Sequence, residues 1–234
     1  MNILQYWPQL LSSVVITIEL MLSALVLGLF LAALLTALSE SGFSFLEAPV
    51  NVFVFIIRGT PLLVQIFIIY YGSGQFHWLR ETILWSVLKR PFGCAIIALA
   101  INTSAYTTVL LRGAIRSIPT GEIEAAKALG LSRWKAYQRI IIPRAIRIVL
   151  PAYSNEVIMI LKGTSLAGTI TLMDIMGVTR HLIAMTYEVI PLFFLAGIIY
   201  FVLNALIMSV FYFFEKKINI SILLKGINNE QRSS

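Results

Sequence analysis

Residues 12–38 read SSVVITIELMLSALVLGLFLAALLTAL. A membrane-crossing helix needs about 20 mostly apolar residues. This run exceeds that length and carries one charge, Glu19. Working outward, four more apolar stretches follow, at about 48–71, 92–111, 148–161 (continuing to about 175) and 189–214. The 48–71 stretch is interrupted by Arg58-Gly59-Thr60-Pro61. Six prolines, Pro49, Pro61, Pro91, Pro143, Pro151 and Pro191, fall near predicted starts or breaks, where a missing N–H is tolerated. The pattern predicts an all-α integral membrane protein of about five transmembrane helices. It forms a single domain over 1–234 with one long polar loop at 112–147. Composition agrees: 59% of residues are hydrophobic and 12% charged, about half the charge of a soluble domain, so lipid must solvate much of the surface.

Five spans put the two ends on opposite sides. With the N-terminus outside, the inside regions 39–47, 112–147 and 215–234 hold 12 Lys or Arg, and the outside regions 72–91 and 163–188 hold 4. Basic residues stay on the cytoplasmic side, so the C-terminus and loop 112–147 are predicted to be cytoplasmic. The net charge of +7 is then a matter of topology. A single cysteine, Cys94, excludes an intrachain disulfide and a Cys-based zinc site, and His77 and His181 lie far apart, so no metal centre is expected. Residues 1–8 lack the basic start of a cleaved signal peptide, while Tyr6 and Trp7 suit a membrane interface. The first apolar segment is therefore expected to be retained.

Within the loop, Thr120 is placed to cap a helix whose first turn carries Glu122 and Glu124. Gly130 is placed to end that helix in a left-handed conformation. Ser132 is placed to cap a second helix, expected to stop before Pro143. Ile123, Ala126, Leu129 and Trp134 are expected to form one apolar side, for lipid or a partner groove. A helix-turn-helix DNA reader has similar spacing, but it needs a third helix and its own core, which some 30 tethered residues do not supply.

These residues resemble a known family. The cytoplasmic loop of ATP-binding-cassette import permeases carries Glu-Ala-Ala, three residues, Gly, nine residues, Ile, one residue, then Leu-Pro. Here stand Glu124-Ala125-Ala126, Gly130, Ile140 and Ile142-Pro143, with Ile142 in place of the leucine. The resemblance implies a type I importer permease fold in which this loop is the coupling helix, docked in the ATPase subunit, with Glu124, Ala125, Ala126 and Gly130 as coupling residues. More of the chain, about 10–217, is similar to the polar amino acid branch: Arg58-Gly59-Thr60-Pro61 through Gln65, Ala105-Tyr106 with Arg112-Gly113-Ala114-Ile115, Ser117-Ile118-Pro119, Asn155-Glu156, and Lys162 with Thr164-Ser165-Leu166. Within the branch it looks closest to the M-type permeases of arginine (Art) importers, over 59–76, 154–157 and 164–177. Two departures stand out. Val109 and Gly163 occupy positions where many branch members have Glu and Asp, as a non-identical permease pair would explain if one partner keeps the acids.

The resemblance further implies an inner-membrane location with a periplasmic N-terminus. It implies three partners besides lipid: an ATP-binding subunit dimer, a second permease and a periplasmic amino-acid-binding protein. The chain has no phosphate-binding loop of the G-x-x-x-x-G-K-[ST] kind, so ATP and magnesium belong to the partner ATPase and this chain holds no cofactor. Nothing in the sequence groups a nucleophile, a base and an orienting residue, so no enzyme activity is expected. The rivals are an autonomous secondary transporter, which usually shows an internal repeat, and a scaffold that docks through loop 112–147. Histidine or glutamine is the alternative cargo.

Charges inside spans are expensive and usually face a cavity or a partner. A cationic amino acid needs a carboxylate for its side chain. Glu156 is the first candidate, with Asn155 beside it, then Asp174 and Glu19. Glu156 also suits an interhelical structural pair, although Lys162 lies about 120° away around the same helix. Glu19 is expected to face a neighbouring permease or the interface. Arg58 is expected to bind carbonyls freed at the 58–61 break or to snorkel to the cytoplasmic surface.

Overall fold

The computed structural model describes residues 3–233, with side chains described for 5–132 and 134–217. Every regular element is helical. The main ones are α1 (Trp7–Ser39), α2 (Ser44–Gly59), α3 (Leu62–Gly72), α4 (Pro91–Arg116), α5 (Thr120–Ala128), α6 (Ile142–Thr164), α7 (Ile175–Thr186) and α8 (Val189–Ser233). Among the described residues three helices, α1, α4 and α8, are long and apolar enough to cross a membrane unaided, and two bent pairs bring the total to as many as five if each is one span.

One bent pair bears out the sequence reading and the other corrects it. The break expected at 58–61 is present, and α2 and α3 meet there at 105°. Pro61 removes an N–H and forces Thr60 into an extended conformation (φ −115°, ψ 143°), which ends α2. Residues 163–188, expected to be an outside loop, contain α7. It follows the helical run Trp134–Ile170 at 45°, started by the Asp174 side chain, which accepts from the Gly177 N–H at 2.9 Å. Pro143 likewise stops nothing. The chain passes through one wide π-turn, Tyr137–Ile141, straight into α6. That turn displaces the carbonyl at position 139, which the proline ring would otherwise strike. Pro151 lies inside α6 rather than at a boundary.

α4 is the central post. Its small buried residues, among them Ala95, Ala98, Ala100 and Ala105, let neighbouring backbones come close. Gly28 of α1 exploits this: a Cβ there would stand 3.1 Å from the Ala100 carbonyl oxygen and collide with the Thr103 methyl group. The main core joins Leu20 and Leu25, Ile66, Leu99, Ile160, Leu161 and Ile170. A second core, with Leu10, Ile175, Leu182 and Leu192, ties α7 to the starts of α1 and α8.

Charges gather at the opposite end. Glu40, just past α1, lies 3.0 Å from Arg116 and 3.5 Å from Arg112, both at the end of α4. Glu47 of α2 accepts from Arg112 at 2.7 Å and Arg116 at 3.1 Å, and Asn51 accepts from Arg112 at 2.6 Å. α1 and α4 therefore end together. α2 runs antiparallel to α4, because its start meets residues 112 and 116 and its finish meets Tyr106. Between these contacts Val50 and Val54 of α2 are buried, and Phe53 and Ile57 pack partly buried in the same cluster with Ala105 and Val109 of α4. The polar contacts at its two ends add to this hold on α4.

Candidate functional site

At the 105° break the last carbonyls of α2 lose their helical partners. Side chains replace them. Thr60 Oγ1 donates to the Ile56 carbonyl at 3.0 Å, and Gln65 Nε2 donates to the Ile57 carbonyl and Thr60 Oγ1, both at 2.8 Å. The carbonyls that Arg58 was expected to bind are thus taken by Thr60 and Gln65. Arg58 instead lies over the Tyr106 ring, 5.1 Å from its centre, a cation–π contact.

The break is wired into the bundle. Gln65 Oε1 accepts from Asn102 Nδ2 at 3.0 Å. The next residue on α4, Thr103, donates its hydroxyl to Glu156 Oε1 of α6 at 2.7 Å. Gln65, Asn102, Thr103 and Glu156 are all buried. Arg58 is within coulombic range of Glu156. Two separate hydrogen bonds from adjacent residues of α4 thus form a polar relay, one to the break and one to Glu156. One cation, Arg58 of α2, and one anion, Glu156 of α6, belong to it, the complement of an amino acid's own two charges.

Glu156 thus ties α6 to α4. Lys162 is exposed, so the pairing that helix geometry disfavours does not form. Asn155 points outward, away from the relay, because adjacent helical residues differ by about 100°. Asp174 is fully buried as the cap of α7, outside the relay contacts. Glu19 is on the exposed side of α1. Gly163 sits in a tight place for the acid many branch members have: its Cβ would stand 3.0 Å from a Leu62 methyl and 3.4 Å from a Leu99 methyl, which would have to shift. Val109 joins the small apolar cluster of Val50, Val54 and Ala105. The sequence reading missed Gln65, Asn102 and Thr103. A run of polar residues from 102 to 104 inside an apolar helix was the signal available.

The 112–147 loop folds partly as expected. Gly130 is left-handed (φ +73°). The bonds Gly130 N–H to Lys127 O at 2.9 Å and Leu131 N–H to Ala126 O at 3.0 Å make a Schellman end. Ser132 Oγ accepts from the Lys135 N–H at 3.4 Å. Thr120, expected as a cap, is instead the first helical residue, and no side chain caps α5. The single apolar side also divides. Ile123 and Ala126 turn inward, Ile123 against Ala114, Ile118, Ile141 and Ala145. Leu129 and Trp134 are 81% and 68% exposed. α5 stops at Ala128, so helical phase no longer places Leu129. Glu124, Ala125 and Gly130 share the exposed surface, and Glu122 anchors α5 to α6 through Arg144 at 2.6 Å.

Residues 24–220 match the family described as "Binding-protein-dependent transport system inner membrane component". The chain is 45% identical to the octopine transport permease OccM of Rhizobium radiobacter, over 90% of this chain and 86% of that protein. It is 40% identical to the arginine permease ArtM of Haemophilus influenzae, over 92% and 94%. It is also 40% identical to the histidine/lysine/arginine/ornithine permease HisM of Salmonella typhimurium, over 88% and 92%. Its fold superposes on an amino acid ABC transporter crystallised with histidines, with a TM-score of 0.81 and 30% identity, covering 92% of this chain and 96% of that one. Membership sets aside the autonomous-transporter and scaffold rivals. ATP binding resides in a partner ATPase, and a binding protein completes the system. The chain is an inner-membrane permease subunit of a binding-protein-dependent ABC importer for polar or basic amino acids or opines.

Proposed function

We propose that this chain is one half of a permease pair that imports a basic amino acid, arginine first, and that Glu156 meets the cargo's positive side chain. The observation that carries this reading is a buried carboxylate on α6, held by Thr103 beside the helix break and within range of Arg58. A carboxylate inside a span is costly unless a cation or a water-filled path meets it. Arg58 has no ion pair among the described residues, which leaves its guanidinium for the cargo's carboxylate. The cargo for which the ArtM and HisM relatives are named favours arginine. The second permease is identical or homologous. The tight packing at Gly163 favours a homologous partner that keeps the missing acid.

The N-terminus is periplasmic and the C-terminus cytoplasmic. Glu124, Ala125 and Gly130 form the coupling face that docks on the ATPase; Ala126, expected there too, is buried and supports that face from beneath. ATP binding closes the ATPase dimer, moves α5 and opens the permease pair outward; hydrolysis resets it. An opine is the second reading, favoured by 45% identity to an octopine permease against 40% to the arginine one.

The test is ATP hydrolysis by the reconstituted complex in liposomes. The binding protein is loaded in turn with arginine, histidine, glutamine and octopine. Arginine is expected to stimulate most, and Glu156→Gln to abolish that stimulation in an assembled complex. Stimulation by octopine alone overturns the arginine assignment. Full stimulation of the Glu156→Gln complex overturns the site.

A further inference from the structure

α2 touches both the charged end of the bundle and the polar relay. Its first turns carry Glu47 and Asn51, bonded to Arg112 at 2.7 Å and 2.6 Å. Its last turn carries Arg58 over Tyr106, and the residue after it, Thr60, bonds Gln65. α4 ends at Arg116, four residues before α5 begins at Thr120. Movement of α5 therefore reaches α4 along the chain, but it reaches α2 only across side chains.

The route across is narrow. Val50 and Val54 are the only fully buried residues of α2, with Phe53 and Ile57 partly buried beside them in the cluster that includes Ala105 and Val109 of α4. The charged contacts are better made. The Arg112 side chain is 12% exposed and Glu40 17%. Arg112 reaches three partners from two elements: Glu47 and Asn51 on α2, and Glu40 at the end of α1. Arg116 shares both carboxylates. A guanidinium held bidentately by two acceptors fixes orientation as well as distance. Removing one member leaves a half-buried charge without its partner, so the group acts as a unit.

We infer that Arg112, with Glu47, is a clamp that carries coupling-helix motion into α2 and so to the break at Gly59–Pro61. Gly59 meets nothing within 4 Å of an added Cβ, so the break has space to bend when α2 is driven. Arg112 is a positioning residue: it acts on the relay through α2 and touches no cargo. This inference rests on the coupling role of Glu124 to Gly130 proposed above.

The experiment measures amino acid taken up per ATP hydrolysed, in proteoliposomes of the full complex with loaded binding protein. It compares Arg112→Ala, Glu47→Ala, the double variant and Glu47→Gln, with Glu124→Lys as the control for the coupling face. Complex assembly is followed by size-exclusion chromatography. Each single alanine variant is expected to keep basal ATP hydrolysis and lose about tenfold in uptake per ATP, within the usual range of coupling between sites. The double variant is expected to be no worse than either single one, since the two groups share one interaction. Where an alanine variant fails to assemble, Glu47→Gln carries the test, and its ratio is expected to fall in an intact complex. An unchanged ratio in assembled variants overturns the clamp, as does a double variant whose loss is the product of the single losses. If Glu124→Lys leaves uptake intact, the coupling-face reading itself has failed; if it uncouples while the clamp variants do not, only the clamp has failed.

Discussion

Glu156 shows what one residue's surroundings add to its identity. Its acidity inside an apolar run was legible from the sequence. Its partner was not, because Thr103 lies 53 positions away and no periodicity links them. Thr103→Val removes the donor to Glu156 Oε1 and leaves that oxygen unsatisfied, which costs about 1–3 kcal/mol. The expected result is a lower melting temperature of the purified complex together with weaker stimulation by loaded binding protein. Gly28 stands behind Thr103, and a methyl group there strikes the Thr103 side chain. Gly28→Ala should therefore mimic Thr103→Val at the relay and add an overpacking cost of about 1–3 kcal/mol. A melting temperature equal to wild type would show that α1 yields more easily than its packing suggests. Asn155 illustrates the opposite limit: it is adjacent to Glu156 in the chain, yet faces another way.

At the scale of elements, local chemistry fixed endings better than continuations. Gly130 was legible as a left-handed stop because a residue without Cβ is the usual one to take that conformation. No neighbour lies within 4 Å of its Cβ position, so substitution there tests backbone strain alone. Gly130→Val should strain the turn by about 1–2 kcal/mol, loosen α5 and lower uptake per ATP. Gly130→Asn, which tolerates that conformation, should be milder. Equal uptake from the two variants would detach the turn from coupling. Pro143 misled because a proline's local rule is to end a helix, whereas the π-turn before it supplies the room that lets the helix go on. Pro61 obeyed the rule, and the resulting 105° angle came from packing of α3 on α4, which no local signal encodes.

The whole molecule was legible in outline, since hydropathy alone gave the five apolar stretches and their order. Which of them cross straight was only partly legible: the break at 58–61 was, whereas the start of α7 depends on side chains from distant helices. Thr17 of α1, for example, accepts from the Ile175 N–H at 3.1 Å. The break has a consequence for the making of the protein. Arg58 is exposed on this chain's own surface, and a charged side chain facing hydrocarbon costs about 3 kcal/mol. A newly inserted copy without its companions is thus an orphan with a guanidinium turned toward lipid, the kind of defect that membrane proteases remove. In a pulse-chase experiment its half-life should lengthen when the second permease is co-expressed. A half-life indifferent to the companion would mean that the break is sheltered within a single chain, and that assembly is not what licenses this subunit to persist.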